Sequence, residues 1–532
     1  MKVVIVGGVA GGATAAARIR RLDEKAQITV FEKTGYISYA NCGLPYYIGE
    51  VITEEDQLTL QSPEKMWSRY RIEVKTGHEV TDVDADAKTV SVTNLETGET
   101  FTESYDKLIL APGAAPVIPD VSGLKGDKVF TLKNIEDTFG LYEYIEANEP
   151  KKALLIGAGY INLEIAENLR KRGMDVTITQ RSAQVLNRKM DPDMVRYVHK
   201  NLLQNGVELK LGYQVTPDDV AAADLVVVAA GTKPRTELAQ AAGLKLGNNG
   251  GIAVDDRMAT SDPDIYAVGD AVETKNIVTE QERLASLAGP ANKQARVAAD
   301  NICGIESHYR GSAGAAILEM FGMAAAMVGI TEEMASGLGL DYDKVILSPL
   351  SHASYYPGAK PMPMKVTYEK NTLKILGAQI IGYEGVDKRI DVLSVAMQTG
   401  MKATDLKNLD LAYAPPFASA KDPVNMVGFM IEDIEKKLVA QYGMEELEQL
   451  PADGSVQLID VRSKGEYERG HIEGFVNVPV DSIRDRLDEL DKDKPVYLMC
   501  HSGLRSYIAA RILTQEGYDC MHFAGGYSFY NI

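Results

Sequence analysis

A chain of 532 residues, 45% hydrophobic and 25% charged, is too long for one core and is expected to divide into about two to four soluble α/β domains. Its formal net charge of -19 argues against nucleic acid or an anionic membrane as partner, since either would need a basic face to release counterions. Four cysteines cannot make a disulfide framework, no apolar run approaches the roughly 20 residues of a bilayer span, and Met1 to Val6 run straight into strand-like sequence without a leader pattern, so a reducing cytoplasm is the expected compartment.

In chain order, Lys2 to Val6 read as a buried strand, Gly7-Gly8-Val9-Ala10-Gly11-Gly12 as a turn and Ala13 to Leu22 as a helix. A second strand, Ile28 to Phe31, ends on Glu32, about twenty residues on, where a dinucleotide fold places its acceptor for a ribose hydroxyl. The same grammar recurs in the strand Lys152 to Ile156, the turn Gly157-Ala158-Gly159, the helix Tyr160 to Arg172 and the strand Val176 to Thr179. Two Rossmann-like dinucleotide-binding domains are therefore expected, one discontinuous over 1–150 and 250–311 and one over 151–249. Residues 312–441, with strand-like Lys344 to Leu347 and Lys365 to Tyr368 and the helix Val386 to Thr399, read as an α+β domain. The polar, acidic stretch 442–454 reads as a helical linker. In 455–532, Val456 to Val461, Gly474 to Val478 and Val496 to Met499 alternate with helical segments, a compact parallel α/β unit.

Neither turn is a full GxGxxG: Val9 takes the second glycine's place in the first, Asn162 the third's in the second. Their company supports the assignment. Tyr266-Ala267-Val268-Gly269-Asp270 resembles the segment with which two-dinucleotide flavoproteins hold the flavin's ribityl chain through an Asp. FAD is thus expected on Gly7, Ala10, Gly11, Gly12, Glu32, Ala111, Gly113, Gly269 and Asp270, its pyrophosphate held by backbone N–H groups and the helix dipole. NADPH or NADH is expected on Gly157, Gly159, Glu164, Gln180, Arg181 and Gly231. Gln180-Arg181 replaces the usual acid, which tilts the choice toward NADPH, because a guanidinium pairs a 2'-phosphate that a carboxylate would repel.

The expected redox centre is Cys42, within Tyr36-Ile37-Ser38-Tyr39-Ala40-Asn41-Cys42-Gly43-Leu44-Pro45, where a helix dipole and the flavin's field would favour the thiolate. No second cysteine follows at short spacing, so Cys42 must cycle through a mixed disulfide, a persulfide or a sulfenic acid. Ser38 to Gly43, with Leu287-Ala288-Gly289-Pro290-Ala291-Asn292-Lys293-Gln294, His352-Ala353-Ser354-Tyr355-Tyr356-Pro357-Gly358 and Tyr413-Ala414-Pro415-Pro416-Phe417, resembles the coenzyme A disulfide reductases over about residues 1–441. The resemblance implies a homodimer through the third domain, CoA carried on the cysteine as a mixed disulfide, and two tyrosines of the partner subunit at the site, by position Tyr355 and Tyr413, with Tyr356 as the fallback. It also implies a CoA site, for which Arg18, Arg21, Arg71, Lys293 and Arg296 are basic candidates, with Ser38, Asn41 and Asn292 from the motifs.

At the C-terminus, Asp460-Val461-Arg462, His471 to Pro479 and Cys500-His501-Ser502-Gly503-Leu504-Arg505-Ser506 are similar to single-domain rhodaneses. A loop curled round Cys500 ahead of a helix near Ser506 would stabilise thiolate and persulfide, Arg505 would neutralise an anionic sulfur donor, and Asp460 and Arg462 would brace the loop. Cys303 and Cys520 read as core residues. The expected activity is NAD(P)H-dependent reduction of CoA disulfide, CoA persulfide or polysulfide, coupled to sulfur transfer. Two alternatives stand beside it: an NADH oxidase or peroxidase cycling a sulfenic acid, which would want a histidine where Ala10 stands, and a non-catalytic flavin-bound persulfide sensor or carrier.

Overall fold

The computed structural model describes all of residues 1–532, in two compact units: Met1–Val185 with Gly206–Gly314, and Leu186–Asn205 with Ala315–Ile532. In the first, Lys2–Val6 is the central strand of a five-stranded parallel sheet, flanked by Gln27–Glu32 and Lys107–Leu110, with Glu73–Thr76 and Ile265–Ala267 at the edges. Val3, Val4 and Ile5 are completely buried, which is why that strand is apolar at successive residues instead of alternating. The alanine-rich helix Ala10–Leu22 leaves this strand and packs against Ala288–Ile302, so residues far apart in sequence complete one domain.

The second sheet of this unit, also parallel, is centred on Lys152–Ile156, between Asp175–Gln180 and Leu225–Val228. Its outer strands are Val207–Leu211 and Val129–Phe130. The last moves a boundary: Val129–Phe130 lies within the stretch 1–150 assigned to the first dinucleotide domain, yet it pairs with Val226 and Val227 of the second. Two residues are too short for any periodicity to reveal. An antiparallel pair, Ala114–Pro116 with Thr232–Pro234, joins the segments that follow the two sheets.

The second unit holds two more sheets. One is antiparallel, in the order Ala316–Met320, Met323–Gly329, Ile375–Gly382, Met364–Glu369, Tyr342–Leu347, with the helix Val386–Gln398 packed on it. The helix Pro192–Gln204, placed by sequence inside 151–249, belongs to this unit: Gln379 Nε2 donates to Asp191 Oδ2 at 2.7 Å, and Asn201 Nδ2 donates to the Met320 carbonyl at 2.9 Å. Beneath them the buried Lys365 ammonium draws together Asp191 (3.0 Å), Asp193 (2.9 Å) and Glu332.

The other sheet is parallel, in the order Gln441–Tyr442, Cys520–Phe523, Val496–Met499, Gln457–Asp460, Val476–Asn477. Here the expected linker 442–454 is corrected at its start. Tyr442 is a buried strand residue paired with Phe523, its hydroxyl donating to the Leu498 carbonyl at 3.3 Å. The hydrophilic residues that suggested a linker begin only after it, in the short helix Met444–Glu448. Nor is this sheet loosely tethered within its unit: Tyr507 donates to Asp433 at 2.7 Å, Ser348 to the Gly525 carbonyl at 3.0 Å and Arg196 to the Tyr530 carbonyl at 2.8 Å, and Met430 and Ile434 pack into its core. No helix is long and apolar enough to cross a membrane.

Candidate active site

At the first turn, Gly7 has φ +95°, and a Cβ there would lie 2.2 Å from the Ala111 carbonyl oxygen, so the chain passes this close only with glycine. The helix that follows starts at Ala10 with Val9 as N-cap, which offers no side-chain acceptor to its first N–H groups. Glu32 is buried at the end of its strand and accepts from the N–H of Gly8 (2.8 Å) and of Thr34 (2.9 Å). Ala111 hydrogen-bonds Val6, Gly113 accepts from the Arg235 N–H, and the Gly269 N–H donates to Gln294. Asp270 pairs with Lys133 at 2.9 Å. A glycine cradle, an uncapped helix start and a carboxylate at the neighbouring strand end fit a dinucleotide such as FAD.

The second turn repeats the device. Gly157 has φ +96°, with Ala229 O only 2.4 Å from where a Cβ would sit, and the helix Tyr160–Lys171 starts after the uncapped Gly159. Asn162 is fully buried in the third glycine's place and donates from Nδ2 to the carbonyls of Ile156 (3.0 Å) and Gly157 (2.7 Å), so an amide ties helix to strand where close packing was expected. Gln180 is held by Ser182 at 2.8 Å, Arg181 is exposed beside it, and Gly231 accepts from the Val117 N–H. This surface fits a nicotinamide nucleotide.

Cys42 lies in the 3-10 turn Asn41–Gly43, just before the single-turn helix Leu44–Ile48. The residue is exposed, but its sulfur is crowded: burial, then Glu164 and Asp270, push the thiol up, and only Lys133 opposes them. The five-residue helix carries little aligned dipole and the nearby side chains are mostly anionic, so of the two influences expected to favour the thiolate the helix contributes little and the flavin's field would have to supply the rest. Glu164 itself is pushed up to about 7 by burial, against a hydrogen bond from Tyr46 at 3.3 Å. Ser38, beside this turn, has a left-handed φ of +45°, its N–H donating to the Gly8 carbonyl at 2.9 Å, while Asn41 is exposed.

The proposed basic cluster gathers round the helix pair Ala10–Leu22 and Ala288–Ile302. Arg18 pairs with Asp300 at 2.7 Å, Arg296 approaches the same carboxylate at 3.9 Å, and Thr14 donates to Asn292 at 2.6 Å. Arg21 and Lys293 are exposed nearby on the same two helices. Arg71 lies over the Trp67 ring at 5.5 Å, its carbonyl held by the buried Arg20 at 3.0 Å. In the other unit, the hydroxyls of Tyr355 and Tyr413 meet at 2.7 Å, and Tyr355 is 72% exposed. The fallback, Tyr356, turns instead onto His352. The buried Arg389 ties both tyrosine loops together, donating to Ser351 O and Phe417 O, each at 3.2 Å, and pairing with Asp422 at 3.0 Å.

Cys500 directly follows the strand Val496–Met499 and is 1% exposed. Its sulfur accepts from the Gly503 N–H at 3.1 Å and the Ser506 hydroxyl at 3.3 Å, ahead of the twelve-residue helix Leu504–Gln515. Asp460 and Arg462 form a buried fork, with Nε contacts of 3.0 and 2.9 Å. Arg505 is corrected: it does not point an open charge at an incoming donor but grips Glu466 with two bonds of 2.6 and 2.7 Å. Sequence reasoning passed over Glu466, whose Ser463-x-x-Glu466 capping box was visible although its tertiary partner was not. Lys133, Tyr46 and Arg389 carried no motif at all. Cys520 is buried in the C-terminal core and Cys303 packs at the edge of the first.

Family models match pyridine nucleotide-disulphide oxidoreductase over residues 1–295, the dimerisation domain of the same family over 318–423 and a rhodanese-like domain over 443–531. The chain belongs to the pyridine nucleotide-disulphide oxidoreductase family. It is 38% identical to a coenzyme A disulfide reductase of Staphylococcus aureus over 439 residues, 80% of this chain and 99% of that one. Among solved structures it is similar to reduced Bacillus anthracis CoADR-RHD (42% identity, TM-score 0.97, covering 100% of this chain and 97% of that one) and to a NAD-dependent persulfide reductase from A. fulgidus (38% identity, TM-score 0.93, all of both chains).

Proposed function

We propose that this protein is an FAD-dependent NAD(P)H reductase of CoA disulfide, CoA persulfide or polysulfide that works through Cys42 and is joined to a sulfurtransferase unit working through Cys500. The carrying observation is a lone accessible cysteine whose electrostatic neighbours, Glu164, Asp270 and Lys133, come from segments around both nucleotide cradles. On this reading Gly7, Ala10, Gly11, Gly12, Glu32, Ala111, Gly113, Gly269 and Asp270 hold FAD, and Gly157, Gly159, Glu164, Gln180, Arg181 and Gly231 hold NADPH or NADH. FAD supplies the passage of an electron pair from nicotinamide to sulfur.

The chain's own residues do the sulfur chemistry. Cys42 attacks a sulfur of the substrate, an S–S bond forms at Sγ, and a CoA thiolate or hydrosulfide leaves. Two electrons then restore Cys42. Arg18, Arg21, Arg71, Lys293 and Arg296, with Ser38, Asn41 and Asn292, hold CoA, whose phosphates supply the negative charge that an acidic protein otherwise lacks a reason to collect. Tyr355 and Tyr413, already hydrogen-bonded to each other, supply protons to the leaving thiolate in a homodimer, and the match to a dimerisation domain supports that assembly. Arg181, exposed with no acid beside it, supports NADPH. Four free cysteines suit a reducing cytoplasm. The oxidase or peroxidase reading has no support at Ala10, which carries no proton donor.

Steady-state nicotinamide oxidation with CoA disulfide, CoA persulfide, polysulfide, peroxide and oxygen tests this. The sulfur acceptors should lead, and Cys42→Ser should keep the flavin and lose turnover. Undiminished turnover in that variant would remove Cys42 from the reaction, and a lead for peroxide or oxygen would restore the oxidase reading.

A further inference from the structure

Two guanidinium groups border the Cys500 loop, and both are already matched to carboxylates. Arg462 forks onto Asp460, with its plane 3.9 Å from the Tyr527 ring centre. Arg505 grips Glu466, which also accepts from the Ser463 N–H (3.0 Å) and hydroxyl (2.8 Å), so the carboxylate is fixed from both sides. What faces the sulfur directly is uncharged: the Gly503 N–H and the Ser506 hydroxyl. The rim is apolar. Leu504 is 66% and Ile508 39% exposed, four residues apart on the helix that begins beside the loop.

We infer that the Cys500 site exchanges sulfur with organic hydropersulfides, RSSH, and discriminates against the thiosulfate dianion, with the Glu466–Arg505 pair setting that choice. The inference rests on the reading above that Cys500 carries sulfane sulfur, and names its donor. With RSSH, the Cys500 thiolate attacks the outer sulfur, a Sγ–S bond forms, the RS–S bond breaks with its electron pair leaving on RS⁻, and the proton stays on the transferred sulfur or passes to solvent. The reacting pair carries one negative charge. With thiosulfate, the same attack breaks the S–SO₃ bond and releases sulfite, and the reacting pair carries three negative charges. With both arginines paired to carboxylates, the site has no free guanidinium to offset the difference, so repulsion separates the two donors. Leu504 and Ile508 offer contact to an uncharged R group, which thiosulfate lacks.

The test uses the full-length, FAD-loaded protein and measures thiocyanate formed from cyanide, with thiosulfate or N-acetylcysteamine persulfide as donor. The parent should favour the persulfide in kcat/KM by at least ~10-fold. Glu466→Gln keeps an acceptor for the Ser463 cap while freeing Arg505, and should raise thiosulfate kcat/KM ~10-fold with the persulfide rate changed less than ~3-fold. Leu504→Lys, at an exposed position where folding is not at stake, places an unpaired cation at the rim and should raise the thiosulfate rate in the same way. A parent that prefers thiosulfate, or two folded variants with an unchanged donor ratio, overturns the inference. Cys500→Ser separates it from the underlying reading: loss of both rates upholds Cys500 as the carrier, and retention of both overturns that reading and this one with it.

Discussion

Acid should destabilise the C-terminal domain through one residue, His522. It lies on the strand Cys520–Phe523, paired with Leu498 two residues before Cys500, and is completely enclosed, with neither ring nitrogen hydrogen-bonded; the nearest ring is Tyr507, edge-on at 6.2 Å. Burial pushes its pKa down from 6.5 to about 4, so the imidazole stays neutral in the folded chain while the unfolded chain takes up a proton below about 6.5. A depressed folded value means that stability is fully present above pH 6.5 and is lost as pH falls toward 4. At 1.36 kcal/mol per pH unit the loss is about 2 kcal/mol at pH 5 and about 3 kcal/mol at pH 4, where the folded imidazole is itself half protonated. His522→Leu removes both the titration and an unsatisfied buried donor, which by itself costs about 1–3 kcal/mol. Calorimetry or urea unfolding of the C-terminal transition at pH 7.5 and pH 5 should show the variant more stable at both, with its advantage wider at pH 5 by about 2 kcal/mol. Parallel pH dependences in parent and variant would refute the reasoning, since they would mean that His522 does not titrate differently on unfolding.

Glu164, held near 7 by burial beside Cys42, should place an ionisation close to neutrality in the kcat/KM profile for CoA disulfide; Glu164→Gln should abolish it and lower the pH midpoint for alkylation of Cys42, because one of the charges holding that thiol up is gone. A midpoint that stays put would show that burial alone sets the thiol. Cys500→Ser should spare CoA-disulfide reduction while abolishing cyanide-dependent sulfur transfer, and equal loss of both would contradict independent sites. Arg181→Ala should lower kcat/KM for NADPH ~10-fold and leave NADH within ~2-fold, the difference of one charge-assisted contact to a phosphate; a parent that clearly prefers NADH would show Arg181 to be an ordinary surface charge.

The sequence by itself determined the architecture, because the signals that specify it are local. Apolar runs such as Lys2–Val6 and Lys152–Ile156 can only be buried parallel strands when a glycine turn and a helix follow, and Gly7 and Gly157 stand where any Cβ would strike a carbonyl. The lone Cys42 and the Cys500 loop were legible for the same reason: their chemistry is written in adjacent residues. Tertiary structure alone decided what the charges near those sulfurs do. Arg505 read as an open cation until Glu466, thirty-nine positions away, closed on it. Cys42 read as a thiolate favoured by a helix dipole and the flavin's field, and the fold sets burial, Glu164 and Asp270 against that form with only Lys133 in its favour. Tyr442 read as linker until its ring was found between Tyr497 and Phe523. Local propensity records how each segment prefers to fold, whereas a side chain's charge state and partners depend on what the rest of the chain brings within a few ångströms, where low dielectric makes each neighbour count.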